Sequence, residues 1–443
     1  VSAAPTVTPA AESLAAAFRP RAEEAPWLAE ARVRGLARFR AAGLPTTRQE
    51  DWRFTSLAPL AALRLERPRP EEGEAAAALL ARAGEWSGPQ LVFANGRYRS
   101  DLSSAEGLPP GAVLLSLAEA LELVPDLVRP HLGRLARAEA HPLAALSAAL
   151  FDDGLFLHLP SGAAVAPPIR ILHLTAAPGR TVASFPRSLV VAGDGALVTL
   201  VEHFLGEDGA AALVAPVAEV VLCEGARVEH YRFQEDGLGA FHLASLHVEQ
   251  GAGSRFTSHA LELGARLARH EVHARLAGEG GELALSGLGL ADGARVTDAF
   301  ALVEHAVPRC TSTETFKSVL AGSARGVFAG RVRVLPGAQK TNAYQSSSNL
   351  LLSDDATVDA KPQLEIFADD VKCGHGGTVG QLDETSLFYL RSRGLSEAAA
   401  RTLLIYAFAA EMVERVRPEP LQARARALVA ARLPEGTRLL EAA

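Results

Sequence analysis

The 443-residue sequence predicts a mainly β chain with a helical region at each end. Three observations carry that. Up to residue 153, apolar residues recur mostly at helical spacing. From Gly154, short runs rich in Val, Leu, Phe and Thr, broken by glycine, replace them. From about Leu395 the helical period returns. The expected division is therefore 1–153, 154–390 and 391–443, more chain than one ordinary core of ~150 residues uses.

In the first region, "PWLAEARVRGLARFRAAG" places Leu28, Val33, Leu36 and Phe39 near one helical face and stops at Gly43. "GLPTTRQEDWRFTSL" (Gly43–Leu57) breaks the helix with Pro45. "QLVFANGRY" predicts a short strand with an Asn-Gly turn. "LVPDLVRPHLGRLARAEAHPLAALSAALF" returns to helix, interrupted by prolines.

The central region carries a weak repeat: a tight turn, a small residue, then alternation. The small residues are Ala196, Ala226, Ser254, Ala294, Ala338 and Ala356, separated by 30, 28, 40, 44 and 18 residues. Short strands with like turns over so long a stretch fit a solenoid or a sandwich. A β-helix absorbs an irregular period, because loops of any length can leave each coil. A cupin-like sandwich stands beside it.

In the last region Ser396 is the expected N-cap of "EAAARTLLIYAFAAEMVERV". Leu404, Phe408, Met412 and Val416 form one stripe, with Ile405, Ala409 and Val413 beside it. That stripe buries against the rest of the chain or docks a partner; spacing alone leaves both open. Pro418 and Pro420 end this helix, and "LQARARALVAARL" makes another.

Composition narrows the function. Hydrophobic content of 48% with 21% charged is the balance of a folded soluble protein. A net charge of −7 argues against nucleic acid or an anionic membrane as main partner. "VSAAPTVTPAAESLAAAF" has no basic stretch before an apolar core, so no secretory signal is expected. The longest apolar run, "LLIYAFAA", falls short of the ~20 residues of a membrane span. Cys223, Cys310 and Cys373 are widely spaced with no CxxC. They suit a reducing cytoplasm and cannot alone make a four-thiolate site. Lysine occurs only at 317, 340, 361 and 372. Either arginine is favoured throughout, or that one stretch needs a compact ammonium.

No phosphate-loop GxxxxGK[ST], GxSxG or HExxH occurs, so no intrinsic nucleotide site is expected. His203, His230, His242, His247, His259, His270 and His273 fall on expected strands and read as solvent-facing or hydrogen-bonded. His270 and His273, three apart, would face opposite sides. Cys223 reads as a small buried hydrophobe; Cys310, in "PRCTSTET", reads as more polar and open to exposure.

"ADDVKCGHGGTVG" (Ala368–Gly380) differs. Cys373 and His375 share one side of an extended backbone, among glycines, with Lys372, Asp369 and Asp370 nearby. Two ligands do not complete an iron–sulfur site, so a metal site here borrows the rest across an interface. A nucleophile–base pair lacks an identifiable third group. A structural turn is the bland alternative.

Gln339–Glu414, with "KPQLEIFADDVKCGHGGTVG" and "FYLRSRG", resembles the C-terminal signature of the SufB/SufD family of SUF iron–sulfur cluster assembly, on its SufD rather than its SufB side. "GLPTTRQEDWRFTSL" resembles the family's N-terminal motif, with Arg53 and Phe54 where Lys-Tyr is usual. The resemblance implies a right-handed parallel β-helix between helical domains. It implies pairing with SufB through the β-helix and docking of the ABC-type ATPase SufC on the C-terminal domain, where Leu404, Phe408 and Met412 are the candidate contacts. It implies His375 as a ligand or helper for a transient cluster shared with SufB, with Cys373 beside it, and a cysteine desulfurase supplying sulfur indirectly. The expected role is a non-enzymatic cytoplasmic scaffold. The rivals are a Cys373/His375-dependent hydrolase or transferase on a β-solenoid, and a purely structural partner without ligands.

Overall fold

In the computed structural model, residues 8–21, 24–69, 72–209, 211–433 and 436 are described. Val1–Val7 of the stretch read for a targeting signal lie outside them, as do the residues beyond Leu433 other than Gly436. The centre is a parallel β-solenoid of about eight turns. Each turn gives one strand to a ten-stranded sheet and one to an eleven-stranded sheet, so strands two apart in sequence pair in parallel. Parallel pairing of this kind excludes the cupin-like sandwich.

The register explains the irregular repeat. Leu197, Arg227, Arg255, Glu282, Thr311, Asn342 and Lys372 stand in one column of the ten-stranded sheet, 27 to 31 residues apart. Leu267, Val296, Arg325 and Thr357 make the matching column of the other sheet. Ala196, Ala226 and Ser254 precede the first column, whereas Ala294 and Ala356 lie at the opposite corner. Steps of 40, 44 and 18 therefore mix whole and half turns of a regular coil. At the corners Gly225 and Gly253 adopt φ of +66° and +59°, which L side chains resist.

Between the sheets runs an aliphatic ladder: Leu157, Val190, Val220, Val248, Ala274, Val303, Val332 and Leu364. Each fully buried Val or Leu contributes about 1.5–3 kcal/mol relative to exposure. Cys310 joins this core and is fully buried, with Sγ 3.4 Å from the Gly278 carbonyl, against the expectation of a polar setting. Cys223 sits at a corner and is only half-buried.

Both outer faces carry helices. Pro26–Ala42 packs on Pro142–Leu150 so closely that a Cβ at Gly35 would lie 2.6 Å from the Ala145 carbonyl. Its buried face is Leu28, Arg32, Leu36 and Phe39, not Val33, which is 57% exposed. These helices share a core with Leu189, Leu213, Phe241 and Leu267 of the eleven-stranded sheet. On the ten-stranded sheet, Glu397–Val413 and Glu419–Ala430 cover Leu261, Leu288, Val319 and Leu350. Ser396 caps the first of these, accepting from the Ala399 N–H at 3.1 Å.

The solenoid's ends differ. At its start the strand Gln90–Ala94 turns at Asn95-Gly96 and pairs antiparallel with Arg97–Tyr98, while Val113–Ser116 runs antiparallel to Leu155–Leu159. At its finish Thr357–Ile366 and Lys372–Gly380 each have one strand neighbour among the described residues.

Candidate functional site

Cys373 and His375 lie on that last strand, Lys372–Gly380. In register Cys373 stands beside Ala343, and His375 beside Gln345. Two-residue periodicity puts both on one face. Cys373 packs with Val371 and Leu364 against the inter-sheet core, so that face is the inner one. Cys373 is half-buried and His375 is exposed. Burial pushes the Cys373 thiol up, against a lowering hydrogen bond with the Ala343 backbone. Lys372 alternates to the other face, so its ammonium does not stand beside the thiol.

The glycines turn out to be partly occupied space. Tyr344, on the neighbouring strand, lies over Gly374 and Gly376; a Cβ at Gly376 would come within 3.0 Å of its hydroxyl. Gly374 and Gly376 thus make room for this tyrosine, which stays 50% exposed. Gly377 and Gly380 meet nothing closer than 3.8 Å.

Behind His375 the same column continues inward to Gln345 and then Glu314, both fully buried. Burial raises the Glu314 carboxyl to about 7, against the hydrogen bond from Gln345. Sequence reasoning missed both. "CTSTETF" and "NAYQSSS" alternate polar with polar, so no hydrophobic period marks which face is inward.

Five of the seven strand histidines named above are buried and hydrogen-bonded rather than solvent-facing. His203 pairs with Glu235 at 2.8 Å, His230 with Ser258 at 3.0 Å, His242 with Asp236 at 2.7 Å, His247 with Ser245 at 2.7 Å and His259 with Ser286 at 2.7 Å. Burial lowers His259 to about 3, so it stays neutral. His270 lies 3.9 Å from Glu262; His273 faces the opposite way and stacks on His247. No group of three His, Cys, Asp or Glu side chains among the described residues is arranged to hold a metal ion.

The C-terminal stripe divides. Ile405, Ala409, Met412, Val413 and Val416 are buried against the chain's own ten-stranded sheet. Met412 is fully buried; Leu404 and Phe408 are half-buried. The apolar side chains left open are Phe388 at 74% and Tyr389 at 56%, on the preceding helix Glu384–Ser392. Lys317, 10% exposed, locks the stripe down: its Nζ donates to the Phe408 carbonyl at 3.1 Å, pairs with Glu411 at 2.5 Å and sits 4.4 Å from the Phe408 ring centre. Lys340 pairs with Asp370, and Lys361 with Glu50.

Residues 173–408 match the SUF system FeS cluster assembly family, SufBD core domain, and residues 19–171 match the SufBD protein N-terminal region. The chain belongs to the SufBD family. The iron-sulfur cluster assembly protein SufD of Escherichia coli K12 is 31% identical over 412 residues, covering 89% of this chain and 91% of its own. The iron-sulfur cluster assembly SufBD family protein slr0076 of Synechocystis is 33% identical over 398 residues, covering 88% and 87%. The chloroplastic protein ABCI7 of Arabidopsis thaliana is 33% identical over 281 residues, covering 62% and 59%. In this SufBD chain the core match takes in the whole terminal strand and ends at Phe408, the residue that Lys317 holds. The N-terminal match includes Trp52 and Thr55, which seat that region on Arg269 and Asp298 of the eleven-stranded sheet. No helix among the described residues is long and apolar enough to cross a membrane.

Proposed function

We propose that this SufBD chain is a non-enzymatic scaffold subunit of cytoplasmic iron–sulfur cluster assembly. It pairs its last coil with a SufB-like subunit and contributes His375, with Cys373 beside it, to a site where a nascent cluster is shared. The cluster is cargo, and sulfur arrives indirectly from a cysteine desulfurase. The observation that carries this is His375: an exposed imidazole, two residues from a thiol, on an edge strand with one paired side. Unpaired strand edges invite strand addition, and a partner adding a strand there brings its own ligands to a pair that lacks them. Leu404 and Phe408, with Phe388 and Tyr389 on the neighbouring helix, are the proposed docking face for a SufC-like ABC ATPase; Met412 supports that face from beneath. The protonated, half-buried Cys373 thiol, without a third orienting group, favours this reading over a cysteine hydrolase or transferase.

The test is paired. His375→Ala is co-produced with the SufB-like and SufC-like partners, then followed by size-exclusion chromatography and by iron and sulfide content after anaerobic reconstitution. The expected result is an intact complex with reduced cluster content. Wild-type cluster content, or a loss explained wholly by dissociation, refutes the role.

A further inference from the structure

Although the chain is net acidic, arginines gather at one cavity away from the solenoid's open end. A cavity of about 250 Å³ is lined by Arg19, Arg21, Arg32, Arg67 and Arg97, with Asp152 the lining carboxylate among the described residues. Asp152 draws two of them together, pairing with Arg21 at 2.8 Å and with Arg67. Arg19 donates to the Phe18 carbonyl at 2.8 Å and is paired with no carboxylate among the described residues. Arg97 is exposed and its side chain has no hydrogen-bond partner among the described residues.

Arg32 is the decisive member. Its side chain is 3% exposed. Nε pairs with Glu24 at 2.7 Å, Nη1 donates to the Phe151 carbonyl at 2.9 Å, and the Phe151 ring lies 3.9 Å from Cζ. Nη2 is buried with no partner. An unsatisfied buried N–H of a guanidinium costs a few kcal/mol, so a site that keeps one needs a reason. Burial first, and Arg21 second, lower this arginine to about 10, and it stays charged at neutral pH. Among the described residues, five guanidinium groups thus face two carboxylates, Asp152 and Glu24.

We propose that this cavity binds the diphosphate group of a small molecule, with Arg32 Nη2 as the buried donor. Guanidinium forks match the oxygens of phosphate in paired hydrogen bonds, and several can share one polyanion. The recess is a single cavity rather than a basic stripe, which excludes a nucleic-acid backbone. It lies outside the terminal strand and the C-terminal helices, so it stands independently of the cluster-site proposal.

Isothermal titration of the full chain with inorganic diphosphate tests this, with a nucleoside diphosphate titrated alongside. Arg32 helps hold a helix, so the variants are Arg97→Gln, which disturbs no contact, and Arg21→Gln. Saturable binding by wild type, weakened about tenfold or more in each variant, is expected from losing one charge-assisted contact. The nucleoside diphosphate is expected to bind at least as tightly as diphosphate and to lose affinity in step. Absence of binding at millimolar diphosphate overturns the proposal. So does binding of either probe that survives both substitutions unchanged.

Discussion

Gln345 donates from Nε2 to both carboxylate oxygens of Glu314, at 3.2 and 3.3 Å, in the closed interior of the solenoid. Neither side chain reaches solvent. The pair lies in the column that ends at His375, so a titrating carboxyl stands two strands behind the edge. With the folded value raised from 4.5 to about 7, the native state holds a proton that the unfolded chain releases between those pH values. Its stabilising effect is therefore complete below about pH 4.5 and is lost as pH rises through about 7.

Glu314→Gln removes that dependence while keeping an amide for Gln345 to meet. Relative to wild type, the variant should gain roughly 3 kcal/mol between about pH 4 and pH 8, from a shift of that size. Thermal midpoints of both proteins across this range check it. A constant difference would show that Glu314 is not the group that titrates.

Arg269 is buried between Glu271, at 2.7 Å, and Asp298, which also takes the Thr55 hydroxyl. Its Nη2 donates to the Asp51 carbonyl at 2.7 Å, and its guanidinium lies 4.0 Å from the Trp52 ring centre. Asp298→Ala removes one of the two carboxylates that answer this buried cation, leaves the Thr55 hydroxyl without its acceptor, and should cost about 3–5 kcal/mol in denaturant unfolding. Replacing Arg269, Glu271 and Asp298 together by apolar residues of similar volume should cost less, because no buried charge is then left without its partner. A single-variant loss as small as that of an exposed pair, about 0–1 kcal/mol, would contradict this account.

Lys317→Met keeps the apolar stem but frees the Phe408 carbonyl and Glu411. The expected loss is about 1–3 kcal/mol, felt locally. Amide exchange should quicken in Glu397–Val413 and stay unchanged in Pro26–Ala42. Lys317→Arg should restore protection only in part, because a planar fork is larger than the slot an ammonium fills. Equal protection in all three proteins would remove Lys317 from this role.

Phe388 and Tyr389 hold nothing in the chain's own core. Replacing both by alanine should leave the unfolding free energy within about 0.5 kcal/mol of wild type. It should weaken SufC-like ATPase binding at least tenfold, as aromatic anchors do. Calorimetric titration against that ATPase reads the outcome, and unchanged affinity would move the docking face elsewhere. Deleting everything from Leu395 is a poorer probe, because it bares Leu261, Leu288 and Val319.

The sequence made the strand texture, the two helical regions and the Cys373–His375 pair legible, because glycine corners and a two-residue offset are local signals. It hid the coil's true length, because both corners carry the same turn chemistry, so Ala294 and Ala356 look like Ala196 although they lie at the opposite corner. It hid Arg32 within an apolar helix face and placed Val33 there instead. The charge of Arg32 is answered by Glu24 and by carbonyls more than 100 residues away. Glu314 is invisible for a related reason: its strand carries polar residues on both faces, so no alternation of polar with apolar marks the inner one. Spacing places Met412 with Leu404 and Phe408 on one stripe; only the structure separates the residue under the helix from those at its margin.

The open last coil has a consequence for cooperativity. A stack in which each coil touches only its neighbours behaves as a one-dimensional chain of coupled units and frays from any uncapped end. Here long-range fasteners suppress that over the middle coils: Thr55 to Asp298 spans 243 residues, the Arg417 N–H to the Tyr231 hydroxyl 186, and Lys317 to the Phe408 carbonyl 91. The final coil has the ladders to Arg325–Val334 and Asn342–Leu351, together with ion pairs to exposed carboxylates such as Lys361–Glu50. Its local opening free energy therefore lies below that of the body. The segment carrying His375 can loosen and re-form while the rest of the solenoid stays folded.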